Sequence, residues 1–295
     1  MKYIKFLIVG FLSLSLNLNL KAQLKKAENT LLWEISGKRL EKPSYLFGTY
    51  HFADKGFIDT MNVVNEKLSL ADAIVGELII DKDVAAKLMP YMMLKDNSLD
   101  KFLTPKEYKL VDDYLKKLGK YELKMFNSFN PMAVQTLIIQ LTAPKTFTET
   151  NPAIDQYFQD YGRANNKKVI GLETAEEQAQ ILFASSLERQ KEVLIKYVKN
   201  EKKNQAESQK LYNDYITQNL TATEKTFSKL EDFTPEEVDR LLKNRNIKWI
   251  EKLPALMQKQ SLFIAVGAGH LVGKDGLIKG LQAQGYVVKP LVTNY

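Results

Sequence analysis

The chain contains no cysteine among its 295 residues. This absence excludes a disulfide framework, a thiolate metal site, a thiol nucleophile and a lipid anchor attached through cysteine. The fold must therefore be stabilised by a packed core, and the chain is long enough for one large domain or two small ones. Beyond its N-terminal segment the sequence also lacks an apolar run of membrane-spanning length. We therefore expect no stable membrane anchor in the mature protein.

The N-terminal segment has the three parts of a secretory signal. Met1–Lys5 supplies positive charge, Phe6–Leu20 is uncharged and mostly apolar, and Leu20-Lys21-Ala22 resembles a cleavage site. We predict that residues 1–22 are removed, that residues 23–295 form a single domain, and that the protein is periplasmic or secreted. An uncleaved membrane anchor is the alternative, but an uncharged stretch of 15 residues that contains serine and asparagine is short and polar for a spanning helix.

Positively charged residues are in small excess over negatively charged ones. The formal net charge is +7, and removing the signal segment, which carries three lysines and no acid, leaves +4. The lysines are scattered among acids, and no basic stripe with interleaved aromatic residues occurs. We therefore exclude nucleic acid as a partner and expect a peptide or small-molecule substrate, while the oligomeric state stays open.

Histidine is nearly as scarce as cysteine, because the chain has only two. His51 ends the run Gly48-Thr49-Tyr50-His51, and His270 ends the run Gly267-Ala268-Gly269-His270, each after an apolar, strand-like segment. Histidine is a common metal ligand and transfers protons near neutral pH. Two unrelated turn histidines are the alternative, but the repeated G-x-x-H pattern favours a shared functional site.

Apolar segments alternate with helical patterns along the whole chain. This order predicts an α/β fold with a central, mainly parallel or mixed sheet flanked by helices and with large helical insertions. Capping boxes predict helix starts after Thr104, Thr174 and Thr234. The predicted strands are Thr30–Ser36, Ser44–Gly48, Ala73–Leu78, Lys168–Glu173, Leu262–Val266 and Tyr286–Leu291.

Two acids share the placement of the histidines. Glu77 and Glu173 each come at the end of a short apolar segment, and the carboxyl ends of parallel strands lie along one ligand-binding edge. We predict a divalent metal ion (zinc, manganese or cobalt) bound there by His51, His270 and Glu77. The ion would activate a water molecule, and Glu173 would accept the proton or act as a further ligand. Alternatively, Glu173 only favours the dipole of the helix that follows it.

Two further charged residues are less clearly assigned. Arg245-Asn246 lies in a polar break between two helical segments. Arg245 either holds a site carboxylate, stabilises an oxyanion or is an ordinary helix-end cation. Asp155 begins a helix and is interpreted as a first-turn acid. The predicted catalytic residues are Glu173, Arg245 and Glu77.

Four groups of segments stand out along the chain: Leu32–Ile35 with Ser44–His51, Gly171–Gln178, Arg245-Asn246 with Trp249, and Val266–Gly273 with Gly285-Tyr286. Together they resemble the TraB/GumN family, which is related to the TIKI proteins. The resemblance implies a fold like that of ChaN and the erythromycin esterases and, by analogy with TIKI proteins, a metal-dependent hydrolase. It maps the family's paired histidines onto His51 and His270 and its acids onto Glu77 and Glu173. Tyr50 departs from the family, because many relatives have a small residue there, and this bears on the shape of the pocket.

These expectations combine into an exported metal-dependent hydrolase whose substrate is a peptide or protein. One alternative is a metal-free, esterase-type hydrolase in which a histidine is the base. Another is a non-enzymatic protein that binds a peptide or a haem-like ligand at the same sheet edge. Inhibition by a chelator separates the two hydrolases, and turnover of any peptide counts against the binding protein.

Overall fold

The computed structural model describes residues 29–144, 147–227 and 233–293, so the predicted signal segment and its cleavage site lie outside the described residues. Within these residues six strands form one mixed sheet, which confirms the predicted α/β class. The strands are β1 Leu32–Ser36, β2 Ser44–Thr49, β3 Ala73–Gly76, β4 Lys168–Gly171, β5 Leu262–Gly267 and β6 Val287–Leu291. Their order in the sheet is β4-β3-β5-β2-β1-β6.

Helices account for most of the remaining described chain, and none of those described is long and apolar enough to cross a membrane. Single 3₁₀ or π turns cover Leu123–Phe126, Asp239–Lys243 and Ala268–His270. The helices are α1 Lys55–Asp59, α2 Asn62–Leu70, α3 Val84–Met92, α4 Leu99–Phe102, α5 Pro105–Leu118, α6 Pro131–Thr142, α7 Ile154–Ala164, α8 Ala175–Leu182, α9 Leu187–Lys199, α10 Glu201–Ile216, α11 Leu220–Phe227, α12 Pro235–Val238, α13 Asn244–Met257 and α14 Leu277–Ala283.

Local sequence accounts for many of these boundaries. Strand β5 is a continuous apolar run because it lies between two parallel neighbours and is covered on both faces. The Thr104 hydroxyl accepts from the Glu107 N–H and the Glu107 carboxylate accepts from the Thr104 N–H, so α5 begins where its capping box predicts. The boxes at Thr174 and Thr234 form in the same way. The three predicted helix starts are therefore confirmed.

Four parallel strands bring their carboxyl ends to one edge of the sheet. Thr49 of β2 pairs with Gly267 of β5, and Gly76 of β3 pairs with both Ala265 of β5 and Gly171 of β4. Strands β1 and β6 lie beyond β2 and run antiparallel to their neighbours. The candidate residues each follow one of the four parallel strands by one to three positions, so the backbone alone places them on one edge.

The predicted helical insertions form a second apolar core beside the sheet. Helices α4, α5, α6 and α9 contribute to it, with Leu99, Leu115, Ile138 and Leu194 fully buried. The main core lies against the sheet and includes Phe47, Phe158 and Phe263. Helices from both insertions therefore pack on each other as well as on the sheet.

The expected polar break around Arg245-Asn246 is wrong. The helix runs without interruption from α12 through the π turn Asp239–Lys243 into α13, and Asn244 N–H donates to the Asp239 carbonyl in the i→i−5 pattern. Arg245 and Asn246 are buried on this helix. Their polarity reflects partners elsewhere in the fold and not exposure to solvent.

A partly buried ion pair ties this helix to α9, since the side chains of Arg189 and Glu237 are 25% and 11% exposed. The Glu237 carboxylate accepts from Arg189 Nε at 3.1 Å and from Arg189 Nη2 at 3.0 Å, and also from the Ser185 hydroxyl. These bonds lower the pKa of Glu237 to about 2, and those from Arg189 have the largest effect. A carboxyl with a lowered pKa stabilises the fold above its unfolded pKa of about 4.3 and loses this effect as the pH falls toward 2.

Glu237→Gln is therefore expected to lower the free energy of unfolding by about 2 kcal/mol at pH 7, because the amide cannot carry the charge that faces Arg189. The difference from wild type should shrink between about pH 5 and pH 2. Urea denaturation across this range measures it. Glu192→Gln is the matched control, since Glu192 also contacts Arg189 but its side chain is 65% exposed. An equal loss in both variants would contradict the assignment.

Candidate functional site

The glycines of the two G-x-x-H motifs are required by close packing around the strand ends. A Cβ on Gly48 would lie 3.1 Å from the Cα and Cβ of Ala268, and a Cβ on Gly267 would lie 3.2 Å from Glu77 Oε1. Both distances are shorter than ordinary van der Waals contact. The Gly267 N–H also donates to Glu77 Oε1 at 2.8 Å. The repeated glycines therefore let the two histidine turns and the acid after β3 approach each other.

His51 is the outer histidine, and its side chain is 66% exposed. Its Nδ1 lies 2.8 Å from Asp155 Oδ2 in the first turn of α7. The negative charge of Asp155 is the main cause that raises the pKa of His51 to about 9. Asp155 therefore does more than favour a helix N-terminus, because it orients the ring of His51 and leaves Nε2 directed away from α7.

His270 is the inner histidine and is 4% exposed. The side-chain amide of Asn246 donates to the carbonyls of His270 and Asp275, at 3.2 and 2.8 Å, so its oxygen faces the ring. That oxygen lies 2.7 Å from His270 Nδ1, which assigns the ring proton to Nδ1 and the lone pair to Nε2. Burial lowers the pKa of His270 to about 3, so the ring is neutral.

Arg245 lies between His270 and the two acids. We call Glu77, Glu173, Arg245 and His270 the inner cluster. Arg245 Nη1 donates to His270 Nε2 at 3.0 Å, and Nη2 donates to Glu77 Oε2 at 2.6 Å. Nε donates to Glu173 Oε2 at 3.1 Å, and Nη2 also donates to Glu173 Oε1. One buried guanidinium therefore binds both carboxylates and the lone pair of the imidazole.

Gln178 and Trp249 complete the surroundings of the inner cluster. The Gln178 amide donates to Glu77 Oε2 at 3.2 Å and to Glu173 Oε1 at 3.0 Å. The ring of Trp249 lies 4.4 Å from the His270 ring and 4.7 Å from Arg245 Cζ, within the range of a cation–π contact. Burial on its own raises the pKa of the Glu77 carboxyl, but the positive charges that face it hold that pKa well below its usual range.

A cavity of about 350 Å³ opens beside these groups. His51, Asp155, Glu77 and Gln178 provide its polar wall. Its apolar lining includes Ile74, Val75, Phe158 and Ala265. Glu173 lines a different cleft, together with Lys252. The cavity therefore gives a ligand access to the His51–Asp155 pair and to Glu77, whereas Glu173 does not line it.

The donor set contains the residue types that bind divalent ions, but its arrangement does not fit one. In the ranges that the structure describes, no three histidine or acidic side chains are grouped so that they could hold a metal ion. His270 Nε2 and both inner carboxylates already bond to Arg245. Metal binding by His51, His270 and Glu77 therefore stays a prediction and requires these bonds to change.

The model of the TraB/PrgY/gumN family matches residues 31–290, which include both histidines, the inner cluster and all of the sheet except Leu291 at the end of β6. The chain belongs to the TraB/PrgY/gumN family. The resemblance expected from the G-x-x-H motifs, the segment around Glu173 and the Arg245-Asn246 pair is thus confirmed.

Several proteins that are similar to this chain carry protease names. Metalloprotease TIKI2 of Danio rerio is 23% identical, and the match covers 90% of this chain and 61% of that protein. Metalloprotease TIKI2 of Xenopus tropicalis is 25% identical, with 88% and 60% covered. Metalloprotease TIKI homolog of Nematostella vectensis is 22% identical, with 96% and 73% covered. The chain spans about three fifths of the length of the two vertebrate relatives.

Three residues that matter to the site have no assigned role in the sequence prediction. Asp155 is visible only as a first-turn acid, and its partner His51 lies 104 positions away. Asn246 and Gln178 belong to segments that carry the family resemblance, but an amide alone does not indicate which buried group it will contact. The hydrogen-bonding needs of a buried imidazole and two buried carboxylates are the signal that identifies them.

Proposed function

We propose that the protein is an exported hydrolase that cleaves peptide bonds at the cavity beside His51. The His51–Asp155 pair carries the proposal, because it sets an oriented imidazole in the wall of a cavity at the ligand-binding edge of the sheet. The metalloprotease names of relatives at 22–25% identity support a peptide as the substrate. A periplasmic or secreted location follows from the N-terminal signal pattern.

The reaction needs proton transfer at one ring nitrogen. Asp155 engages Nδ1 of His51, so Nε2 serves the substrate. In the molecules whose His51 ring is neutral, a water oxygen attacks the carbonyl carbon of the peptide and the water proton passes to Nε2 of His51. The C–N bond then breaks, and the same proton passes to the departing amine. Proton transfer by a positioned imidazole accelerates such reactions by about 10²–10⁴-fold. Because Asp155 raises the pKa of His51 to about 9, the neutral fraction of the ring grows, and turnover rises, as the pH increases toward 9.

The lining of the cavity indicates which peptides fit. Ile74, Val75 and Phe158 belong to the buried core and leave an apolar floor. A cavity of about 350 Å³ accommodates a single large side chain and the adjoining peptide group. We therefore expect cleavage next to an aliphatic or aromatic residue.

The names of the relatives imply a divalent metal ion, for which zinc, manganese and cobalt are the candidates. Because the inner cluster as arranged does not fit such an ion, the proposed steps use only side chains of the chain. A metal-free hydrolase with a histidine base is the second candidate mechanism. The bonds of Arg245 to all three inner donors favour it.

A peptide library tests the function and the location of the site together. The full chain, purified without a histidine tag, is expected to cleave peptides next to apolar residues, as read by mass spectrometry. Gln156→Trp, which fills the rim of the cavity, should strongly reduce cleavage and leave stability within about 0.5 kcal/mol of wild type. Gln209→Trp is the control, because Gln209 is exposed on α10 and does not line the cavity.

The outcomes separate the alternatives. Cleavage lost in Gln156→Trp but retained in Gln209→Trp supports catalysis at the cavity. Equal cleavage in both variants places the reaction elsewhere and contradicts the proposal. No cleavage of any library member, combined with tight binding of peptides, leaves the binding protein as the function. Repeating the assay with a chelator, followed by added zinc, manganese or cobalt, separates the two mechanisms.

A further inference from the structure

The guanidinium of Arg245 has no unused hydrogen-bond donor. Arginine carries five N–H groups: one on Nε and two on each Nη. Nε–H donates to Glu173, the two on Nη1 donate to His270 Nε2 and to the Leu241 carbonyl, and the two on Nη2 donate to Glu77 and Glu173. Arg245 is 6% exposed. It therefore cannot contact a substrate oxygen unless it gives up a bond inside the inner cluster.

The groups around Arg245 are those that surround a bound metal ion in other proteins. Two carboxylates and an imidazole lone pair converge on one positive centre. The other ring nitrogen of His270 donates to the amide oxygen of Asn246, and a metal-bound histidine is held by the same kind of bond. The bond from His270 to Asn246 thus has the form of a contact behind a metal ligand, but a guanidinium lies where the ion would be.

The negative charges of Glu77 and Glu173 also require a cation at this position. Glu77 and Glu173 accept from the same Gln178 amide and both lie in a buried environment, where two carboxylates repel each other strongly. Arg245 supplies one positive charge and a fork of donors that matches carboxylate oxygens. Its Cζ atom also lies 4.7 Å from the centre of the Trp249 ring, so the ring packs against the guanidinium.

We propose that Arg245 is the resident cation of the inner cluster and occupies the position that a divalent metal ion would take among Glu77, Glu173 and His270. Arg245 is a positioning residue, because it holds Glu77 in the cavity wall and holds the Nδ1–H tautomer of His270. The proposal deepens the proposed function by naming the cation beside the reaction, and it rests on that function only for its catalytic consequence. Its test is a binding measurement that does not depend on catalysis.

Cobalt(II) is the probe, because its visible absorption reports the number and type of its ligands. Calorimetric titration and absorption spectra are recorded for the full chain without a histidine tag. Wild type is expected to show no cobalt bound by the inner cluster. Glu77, Glu173 and His270 are not grouped to hold an ion while the guanidinium lies between them. Arg245→Ala removes that spacer, so the three side chains can close on one ion and should bind one equivalent of cobalt. That binding should be lost when His270→Gln or Glu173→Gln is added to Arg245→Ala.

Two matched variants separate charge from general loss of structure. Arg245→Lys keeps a positive charge in the cluster and should not gain cobalt binding. Arg240→Ala removes a nearby arginine whose bonds go to the Ile181 carbonyl and the Ser185 hydroxyl, and should also not gain it. If Arg245→Ala folds poorly alone, thermal melting with and without cobalt gives the same information, because an ion that binds only the folded state raises Tm.

Two results would overturn the proposal. One is a divalent ion bound by wild type and lost in Glu173→Gln or His270→Gln, since the cluster would then hold a metal beside Arg245. The other is no cobalt binding and no rise in Tm for Arg245→Ala, since the cluster would then not be a metal-like site. Failure of the proposed function is distinguishable from these two results. If the protein cleaves no peptide, wild type should still bind no cobalt in the inner cluster and Arg245→Ala should still bind one equivalent.

Discussion

His51→Ala is expected to lower peptide turnover by about 10²–10⁴-fold and to leave the free energy of unfolding within about 0.5 kcal/mol of wild type. The ring is the group in the cavity wall proposed to transfer the proton, so its loss removes that step. Its side chain is 66% exposed, so its contact with Asp155 contributes little to stability. Peptide cleavage rates and urea denaturation measure the two effects on the same samples.

His270→Ala is the informative comparison, because the two histidines occupy the same motif. His270 is buried and bonds to Asn246 and Arg245, so its removal leaves buried polar groups unsatisfied. We expect a loss of on the order of 2 kcal/mol in the free energy of unfolding. Turnover should also fall, because Arg245 and Glu77 lose their arrangement.

Asp155→Asn tests how His51 acts. The amide keeps an oxygen near Nδ1 but removes the charge, so turnover should fall less than in His51→Ala. Asp160→Asn is the control on the same helix, because the Asp160 side chain is 50% exposed and bonds to Gln156 and Arg163 instead of a histidine. Full turnover in His51→Ala would show that catalysis does not use the His51–Asp155 pair.

The features of the fold that depend on residues close together in the sequence can be predicted from the sequence. Each capping box marks a helix start because its hydrogen bonds close within four residues. The strands were predicted because buried strands are apolar, and the edge at their ends follows from their parallel direction. The order of the strands was not predictable, since β2 pairs with β5 across more than two hundred positions of sequence.

The division of the site into an outer and an inner histidine could not be predicted. His51 and His270 follow identical spacing, and no local feature states that one will be exposed and the other buried. Burial of His270 depends on Trp249 and Asn246, which α13 brings over the carboxyl end of the sheet. The π turn before α13 is equally invisible in the sequence. The polarity of Arg245 and Asn246 indicates a break in the helix only until their buried partners, which are distant in sequence, are known.

Arg245→Ala is expected to have the largest effect on stability of any single change at the site, about 3–5 kcal/mol. The loss of stability arises from the buried groups that Arg245 leaves without a partner. Glu77 and Glu173 would stay buried without a counter-charge, and His270 Nε2 would lose its donor. Urea denaturation at neutral pH measures the loss. Arg240→Ala is the matched control, with an expected loss of about 1 kcal/mol, since its partners are a carbonyl and a hydroxyl.

A double-mutant cycle with Glu173→Gln determines whether charge is the cause. In wild type, Glu173→Gln removes a carboxylate that Arg245 holds with both Nε and Nη2, so it should destabilise the fold. In Arg245→Ala, the same change removes one of two unpaired carboxylates and should cost less or restore stability. We expect a coupling energy of at least about 1 kcal/mol between the two positions. Additive losses would show that Arg245 stabilises the fold through its packing on Trp249 and not through the carboxylates.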